Sequence, residues 1–460
     1  MEIYNYIRTI PVQDGYDLVV AGGGPAGAAA AICAARLGVK VLLVEAMGCL
    51  GGMGTSGQVC AFDPMADGEK PLVGGFMREI VETLYAGGYL MPGINPDYWL
   101  KDYHRWVPFH PEGLKLTLDD FAIDADVEIR FFTRVIDADF DERNKTVNGV
   151  VVQNVEGLKY VKAKTFIDCT GDAVLSKLCG VGCREAGRDT ENIMPSTLTS
   201  IHSGIDWDRM DQPYHDDRYM MIEKAYAEGM LTQCDRHLPG MSRIGNSLGY
   251  LNGGHVYQLD ALNCESLTKG MIFGRKIVQE YLRMYRKYVP GCENMELVIT
   301  PSLMGVRESR RIEGEYELKF DDFITRRSFP DQIGVFNKFI DVHCYDSSKE
   351  SWERFLRREE HEKLGIGEFF GIPYGILVPR GWKNLWTAGR CASTDVQMQG
   401  CIRVMPAAAM MGQAAGTAAA QAIKSNQTAA ELDTETLIKT LRAGGAYLPQ
   451  IALSRNMTRD

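Results

Sequence analysis

The apolar and polar positions of this chain fall into a few legible blocks. Residues 17–21, Asp-Leu-Val-Val-Ala, form a short β-rich run, and Gly22-Gly-Gly-Pro-Ala-Gly27 comes next as a turn. Residues 28–37 are strong helix formers closed by Gly38, and 39–44 read as a second buried strand ending on Glu45. Together they predict a βαβ unit of about thirty residues. A Gly-rich passage at 51–57 leads to predicted helices over 76–85 and 112–124, with an aromatic, irregular stretch between them. From Val127 the period becomes two, which predicts strands at 127–135, 136–140, 147–155, 159–163 and 165–169, the last running into Thr170-Gly171-Asp172. The middle, from Pro195 to Gly365, mixes Tyr, His and Arg in loops with a long helix near 267–288. A last apolar strand at 385–388 enters Gly389-Arg390, and 406–423 is an Ala-rich helix.

This order predicts the α/β class, with a Rossmann-like domain of parallel sheet plus β-meander that the rest of the chain interrupts. We expect that domain to be discontinuous, over 1–60, 111–194 and 366–460. Residues 61–110 form an irregular, partly helical insertion beside the ligand, and 195–365 an inserted α+β substrate or cap domain.

Composition narrows the classes. The 460 residues are 45% hydrophobic and 24% charged, which excludes a disordered or collagenous chain. Lys+Arg 50 against Asp+Glu 60 gives −10, and no basic run is dense enough to track a phosphate backbone, so no nucleic acid partner is expected. The twelve Cys show no C-x-x-C pair or secreted framework, which predicts reduced thiols and a cytoplasmic location. Residues 1–15 lack a basic n-region, and the apolar stretches 18–35 and 404–423 are built from Ala and Gly, so neither signal peptide nor membrane span is expected.

The chemistry starts with Gly22-x-Gly24-x-x-Gly27 between a strand and a helix, with Glu45 ending the next strand. Gly22 allows the tight turn, Gly24 lets a diphosphate approach the backbone with Pro25 and Ala26 beside it, and Gly27 packs helix on strand. Glu45, with Ala46 next to it, suits adenosine ribose hydroxyls, and the helix N-terminus offers free N–H groups to the diphosphate. The chain then leaves the alternating β/α order and returns at 167–172 and 385–390, which favours FAD over NAD.

With those residues in view, the sequence resembles FAD-dependent oxidoreductases that share a glutathione-reductase-like FAD fold. The similarity spans nearly the whole chain and is carried by the N-terminal fingerprint, Leu50-Gly-Gly-Met53, Asp168-Cys-Thr-Gly-Asp172, the Gly305–Ile312 run, Asp341-Val-His343, Ile372-Pro-Tyr374, Ala388-Gly-Arg-Cys391 and Arg403-Val-Met-Pro406 with the segment 412–416. It implies that Gly51, Gly52 and Met53 run beside the FAD diphosphate and flavin. It implies likewise that Val135, Thr170, Gly171, Asp172, Gly389 and Arg390 line the cofactor, and that Arg403, Val404, Met405 and Ala408 contact ribityl and ring. A helix starting near Pro406 would aim its N-terminal dipole at flavin N1 and C2=O, with Arg403 adding a full charge.

Residues for the reaction itself are sought in the middle domain. Arg307, Arg310 and Arg311 read either as a solvated charged face or as partly buried anion binders. Asp341 and His343 lie at i and i+2, on one face if strand-like, so His343 is a candidate general acid/base or a hydrogen-bonded structural His; His255 is a second candidate. Tyr374 is a weaker relay candidate, or simply a ring packed on the sheet. Cys391 and Cys401 read as core thiols, with a flavin link or a redox pair as alternatives, and Cys179 with Cys183 lacks the further ligands zinc needs, so no metal is expected.

The function expected is hydride transfer between a small polar organic substrate and flavin N5, in either direction. A separate electron donor or acceptor is expected as partner, because no second G-x-G-x-x-G follows a strand and no C-x-x-x-x-C dithiol is present; homo-oligomerisation is left open. The alternatives are a redox-neutral or structural flavin protein, and an electron-transfer subunit that needs a partner.

Overall fold

The computed structural model describes residues 4, 6–91, 93–101, 106–210, 215–237 and 239–450. Parts of three expected units, at 1–3, 5, 92, 102–105, 211–214, 238 and 451–460, lie outside the described residues.

A seven-stranded mixed sheet organises the molecule. Its strands are β1 (Val12–Ala21), β2 (Val41–Val44), β3 (Glu128–Arg130), β4 (Arg134–Asp141), β5 (Thr146–Asn154), β6 (Gly157–Asp168) and β7 (Leu385–Thr387). The order is β3-β2-β1-β6-β5-β4, with β7 also on β6. β3, β2, β1, β6 and β7 pair in parallel, while β6, β5 and β4 form an antiparallel meander. Consecutive residues of β1 go to opposite cores: Leu18 and Val20 to one, Val19 and Ala21 to the other. Both faces are therefore covered, which is why this strand reads as an unbroken apolar run.

β6 corrects the sequence reading, which split it at residue 164. Its first half pairs with the meander and its second half inserts between β1 and β7, so Lys162 and Lys164 are polar only where the strand changes neighbours. The expected strand 127–135 is also two pieces, β3 and the start of β4, with Phe132 at positive φ between them. The remaining helices agree within a few residues, at Gly75–Ala86, Pro111–Asp124 and Cys264–Tyr288.

Two helices lie against one face of this sheet, α1 (Pro25–Arg36) and α2 (Met405–Ser425). Their contact is made of alanine and glycine: a Cβ on Gly412 would overlap the Ala26 carbonyl oxygen, and one on Gly416 that of Ala30. The matching order of these pairs makes the helices parallel. Such close approach removes side-chain thickness between backbones, and the gain is dispersion and excluded water.

A second, antiparallel sheet of Pro239–Arg243, Gly249–Gly253, Ser200–Ser203 and Glu296–Ile299 packs with the helix Cys264–Tyr288 around its own core. The chain from Leu318 to Val342 instead joins the core that holds α1 and α2. Among the described residues no helix is long and apolar enough to cross a membrane.

Candidate functional site

The parallel strands end at one level. Ala21 is in register with Val44 and with Asp168, and Asp168 with Thr387. The loops that leave these strands therefore gather along one edge, at Gly22, Glu45, Thr170 and Gly389. Crevices outside the carboxyl ends of parallel strands are where such sheets bind ligands.

The glycine turn behaves as its spacing requires. Gly22 has φ +95°, and a Cβ there would lie 2.6 Å from the Cys169 carbonyl oxygen. A Cβ on Gly27 would overlap the Gly22 carbonyl oxygen, so this position admits only glycine. Gly24 differs: its φ is −64° and a Cβ there would meet nothing within 4 Å. Gly24 caps α1 without any side-chain hydrogen bond, and the first turn carries no acidic residue. Across the crevice Gly52 brings its backbone so near that a Cβ would sit 2.8 Å from the Gly24 Cα. Met53 and Ala46 are half-buried beside it.

α2 repeats the uncapped start, with Val404 as N-cap, no side-chain cap and Pro406 in its first turn. Gly412 faces Ala26, so the α2 cap lies eight residues before the contact and the α1 cap two. Six residues of overhang put the α2 N-terminus roughly 9 Å beyond that of α1. Met405 and Ala408 are buried at this end, and Arg403 and Val404 are half-buried.

Glu45 is 8% exposed and accepts hydrogen bonds from Gly23 N–H at 2.5 Å and Met47 N–H at 2.7 Å. Each carboxylate oxygen keeps a lone pair for another donor. Val135, expected at the cofactor, is buried and paired with Val152 in the meander. Thr170 donates its hydroxyl to Asp168 and accepts from Val174 N–H, so it builds the loop. Arg390 is a tie rather than a free cation: it donates to Gly171 O at 2.9 Å, Val306 O at 2.7 Å and Asp172 Oδ1 at 2.5 Å. Asp172 also accepts from Ser309 Oγ at 2.7 Å, and Gly389 takes φ +90° to make the adjacent turn.

The charged run at 307–311 is not a solvated face. Arg307, Glu308, Ser309 and Arg311 are all buried. Glu308 and Asp189 neutralise Arg311. Arg307 donates through Nη1 alone, to Pro195 O at 2.7 Å and Thr197 Oγ1 at 2.9 Å, and pairs with no carboxylate among the described residues. Its Nε and Nη2 make no hydrogen bond among the described residues. Burial, with Arg403 adding repulsion, pushes its pKa down to about 9, still charged at neutral pH.

Beside it runs a buried chain of ionisable groups. Asp235 Oδ2 meets His255 Nδ1 at 2.9 Å, His255 Nε2 meets His343 Nδ1 at 2.7 Å, and His343 Nε2 meets Asp341 Oδ1 at 3.1 Å. Asp341 Oδ2 accepts from Arg403 Nη2 at 2.9 Å. Burial raises Asp341, but His343, Arg403 and Lys338 outweigh it and hold the carboxyl well below its usual range. Burial likewise works against the Lys338 charge, which Asp63 and Asp341 hold in place. Both nitrogens of both imidazoles are engaged. The expected pairing of Asp341 with His343 is present, with His255 joined to it; the half-buried end of the chain is Asp341, at 15% side-chain exposure.

His237 escapes the sequence reading. Its ring stacks on His343 with centroids 4.2 Å apart and planes 4° apart. The available signal is a recurring Asp-x-His, which stands at 102–104, 235–237 and 341–343 in the sequence. Nitrogens of His237, His255 and His343 lie within 4.8 Å of one another, a spacing that could hold a metal ion. The geometry opposes one: parallel stacked rings cannot aim in-plane lone pairs at a common point, and His237 Nδ1 faces the Cys344 N–H at 3.5 Å. Tyr374 is structural, donating to Ala429 O and accepting from Trp386 Nε1. Cys391 and Cys401 are free buried thiols.

A sequence profile of the family described as FAD dependent oxidoreductase matches residues 17–441. The chain belongs to that family, and FAD is its cofactor. A 45-residue stretch is 56% identical to the dihydrolipoyl dehydrogenase of Trypanosoma brucei brucei; it covers 10% of this chain and only 9% of that protein. Among solved structures, a geranylgeranyl bacteriochlorophyll reductase-like protein of Thermoplasma acidophilum aligns over 94% of this chain and 83% of its own, at 14% identity and TM-score 0.47. The p-nitrophenol 4-monooxygenase of Pseudomonas putida aligns over 94% and 82%, at 11% identity and TM-score 0.45. Likeness at this level carries no activity across.

The residues present fit FAD. The crevice wall is bare backbone at Gly24 and Gly52, where a Cβ on Gly24 would point into open space, and two helix N-termini stand uncapped along it. Nearby, Gln58 Oε1, Asp63 Oδ1, Tyr250 Oη and Arg403 Nε are buried without a hydrogen-bond partner among the described residues. Orphaned polar atoms of this kind are expected where a polar ligand belongs.

Proposed function

We propose that this protein is an FAD-dependent oxidoreductase that transfers a hydride between flavin N5 and a small anionic organic substrate. Gly24–Gly27 and Gly52 would hold the diphosphate and Glu45 the adenosine ribose, in the manner of the glutathione-reductase type. The α2 N-terminus and Arg403 would hold the isoalloxazine. The units 1–60, 111–194 and 366–460 hold the cofactor, and 195–365 supplies the substrate side.

One observation carries the substrate assignment. Arg307 is 7% exposed, has no carboxylate partner among the described residues, and keeps two nitrogens unengaged beside the Asp341–His343–His255–Asp235 chain. A buried guanidinium without a counter-ion is costly, and a substrate carboxylate would relieve that cost with bidentate hydrogen bonds. Bound FAD supplies the two-electron chemistry. The protein orients the substrate through Arg307, excludes water, and exchanges a proton at Asp341, backed by the two imidazoles. A separate carrier closes the redox cycle.

The test is anaerobic. The purified yellow protein is mixed in turn with hydroxy acids, amino acids, oxo acids, enoates and uncharged alcohols while flavin absorbance is monitored. Exchange of electrons with carboxylated compounds, lost in Arg307→Met with FAD still bound, supports the reading. Exchange with uncharged compounds alone, or none by any class, overturns it.

A further inference from the structure

The antiparallel sheet of the 195–365 unit turns Leu198 and Leu251 into its own core, whereas Ile201 and Tyr250, opposite each other in register, pack with Cys60 and Ala61. Thr199, on the same stretch of chain as Ile201, donates to the carbonyls of Gly57 and Gln58 at 2.9 and 3.1 Å. That face of the sheet therefore closes on the segment 57–61, which Val59 N–H ties back to Met53 O at the crevice. Two residues before Thr199, Thr197 accepts from Arg307 Nη1. Arg307 and Tyr250 stand near enough to act on each other's charge.

The two threonine hydroxyls are used by the protein, and that of Tyr250 is not. Tyr250 is 1% exposed, and its Oη has no hydrogen-bond partner among the described residues. Its neighbours Cys60, Ala61, Ile201 and Ile244 are apolar, so a phenylalanine ring would pack there equally well. The hydroxyl is thus desolvated with nothing in return, a condition that calls for a partner the protein itself does not supply. Burial pushes the phenol pKa up, so at neutral pH it stays protonated and can donate. Arg307 adds two more donors, Nε and Nη2, that bond nothing among the described residues.

We infer that Tyr250 is a substrate-binding residue whose hydroxyl donates to a second oxygen on the carboxylate held by Arg307, so that the substrates are hydroxy- or oxo-acids rather than plain or amino-substituted carboxylates. The inference rests on the reading of Arg307 given above and narrows it.

The chemistry of the donors sets this preference. A carbonyl or hydroxyl oxygen accepts from the phenol and brings no positive charge toward the guanidinium. An ammonium group has no lone pair to offer, so it would leave the phenol proton unpaired and repel Arg307. A plain carboxylate would leave the phenol as it stands in the free protein. Gln58 Oε1, buried and equally without a partner, is an acceptor on the facing segment for a hydroxyl proton.

The experiment is an anaerobic calorimetric titration of the oxidised holoprotein with butyrate and with its 2-oxo, 3-oxo and 2-amino derivatives. The wild type should bind an oxo acid about tenfold more tightly than butyrate or 2-aminobutyrate, the worth of one neutral hydrogen bond. Tyr250→Phe keeps the ring and removes the hydroxyl. It should erase that preference, bind butyrate as the wild type does, and retain FAD and thermal stability, because the hydroxyl bonds nothing in the free protein. Three outcomes overturn the inference and leave the reading of Arg307 standing: a preference that survives in Tyr250→Phe, oxo acids that bind no better than butyrate or 2-aminobutyrate, and FAD or stability lost from Tyr250→Phe, which would give the hydroxyl to the cofactor or the fold. Arg307→Met should weaken every one of these carboxylates by on the order of a hundredfold with FAD still bound. Unchanged affinities in that variant, or no carboxylate bound by the wild type, overturn the reading of Arg307 and the inference with it.

Discussion

Gly24 and Gly27 sit three residues apart, yet valine at each should fail differently. At Gly24 the backbone is φ −64°, ψ −174°, open to any residue, and a Cβ meets no atom within 4 Å. Gly24→Val should therefore leave apoprotein stability within about 1 kcal/mol, the ordinary range for a substitution without a clash. Its side chain would stand where the diphosphate must approach the α1 N-terminus. Losing two charge-assisted hydrogen bonds at about 1.5–3 kcal/mol each costs roughly 3–6 kcal/mol, or on the order of 10²–10⁴ in Kd at 1.4 kcal/mol per decade. At Gly27 a Cβ overlaps the Gly22 carbonyl oxygen, so Gly27→Val should unfold the domain or shift the turn. The assay is paired: FAD titration of apoprotein by fluorescence quenching, and urea unfolding of the same apoprotein. A Gly24→Val protein that binds FAD within threefold of wild type, or that loses FAD only because its apoprotein has unfolded, refutes the placement.

The same geometry sets further outcomes. Gly412→Ala should lower the thermal midpoint, at a cost of about 1–3 kcal/mol or more, because α1 and α2 must separate; an unchanged midpoint in calorimetry contradicts the contact. Asp341→Asn should cost about 3–5 kcal/mol in urea unfolding by stripping the half-buried Arg403 and the buried His343 of their carboxylate, whereas Asp341→Glu should recover part of it. His202 is fully buried, and burial with Arg286 nearby lowers its pKa to about 4. Its folded value lies below the unfolded 6.5, so the unfolded chain takes the proton first, and stability falls as pH drops from about 6.5 to about 4, by roughly 3 kcal/mol in full. His202→Asn should flatten that slope in urea titrations across the window.

The parts legible in the sequence are those governed by local rules. β1 announces itself because both its faces are buried, and Gly22, Gly24 and Gly27 because each answers a steric demand within the same turn. β6 reads as two strands because its lysines mark the point where it passes from meander to parallel sheet, a change of neighbours invisible in its own residues. The 307–311 run reads either as solvated or as partly buried because the partners that let it bury, Asp189 and Thr197, lie more than a hundred residues away. His343 is legible and its surroundings are not. Its partner His255 is 88 residues distant, and His237 lies in a loop where periodicity says nothing. The Asp-x-His pattern is a weak hint, since it stands at 102–104 as well as at 235–237 and 341–343.

The central claim is that FAD runs from the N-terminus of α1 to that of α2 and ends beside the Asp341 chain. A crystal structure of the FAD-loaded protein tests it most directly. The account expects the diphosphate on the backbone of Gly24–Gly27, the pyrimidine edge of the ring within hydrogen-bonding distance of the first α2 amides, and Asp341 and Arg307 facing the same side of N5. A ring lying away from α2, or separated from Asp341 by packed side chains, would contradict it.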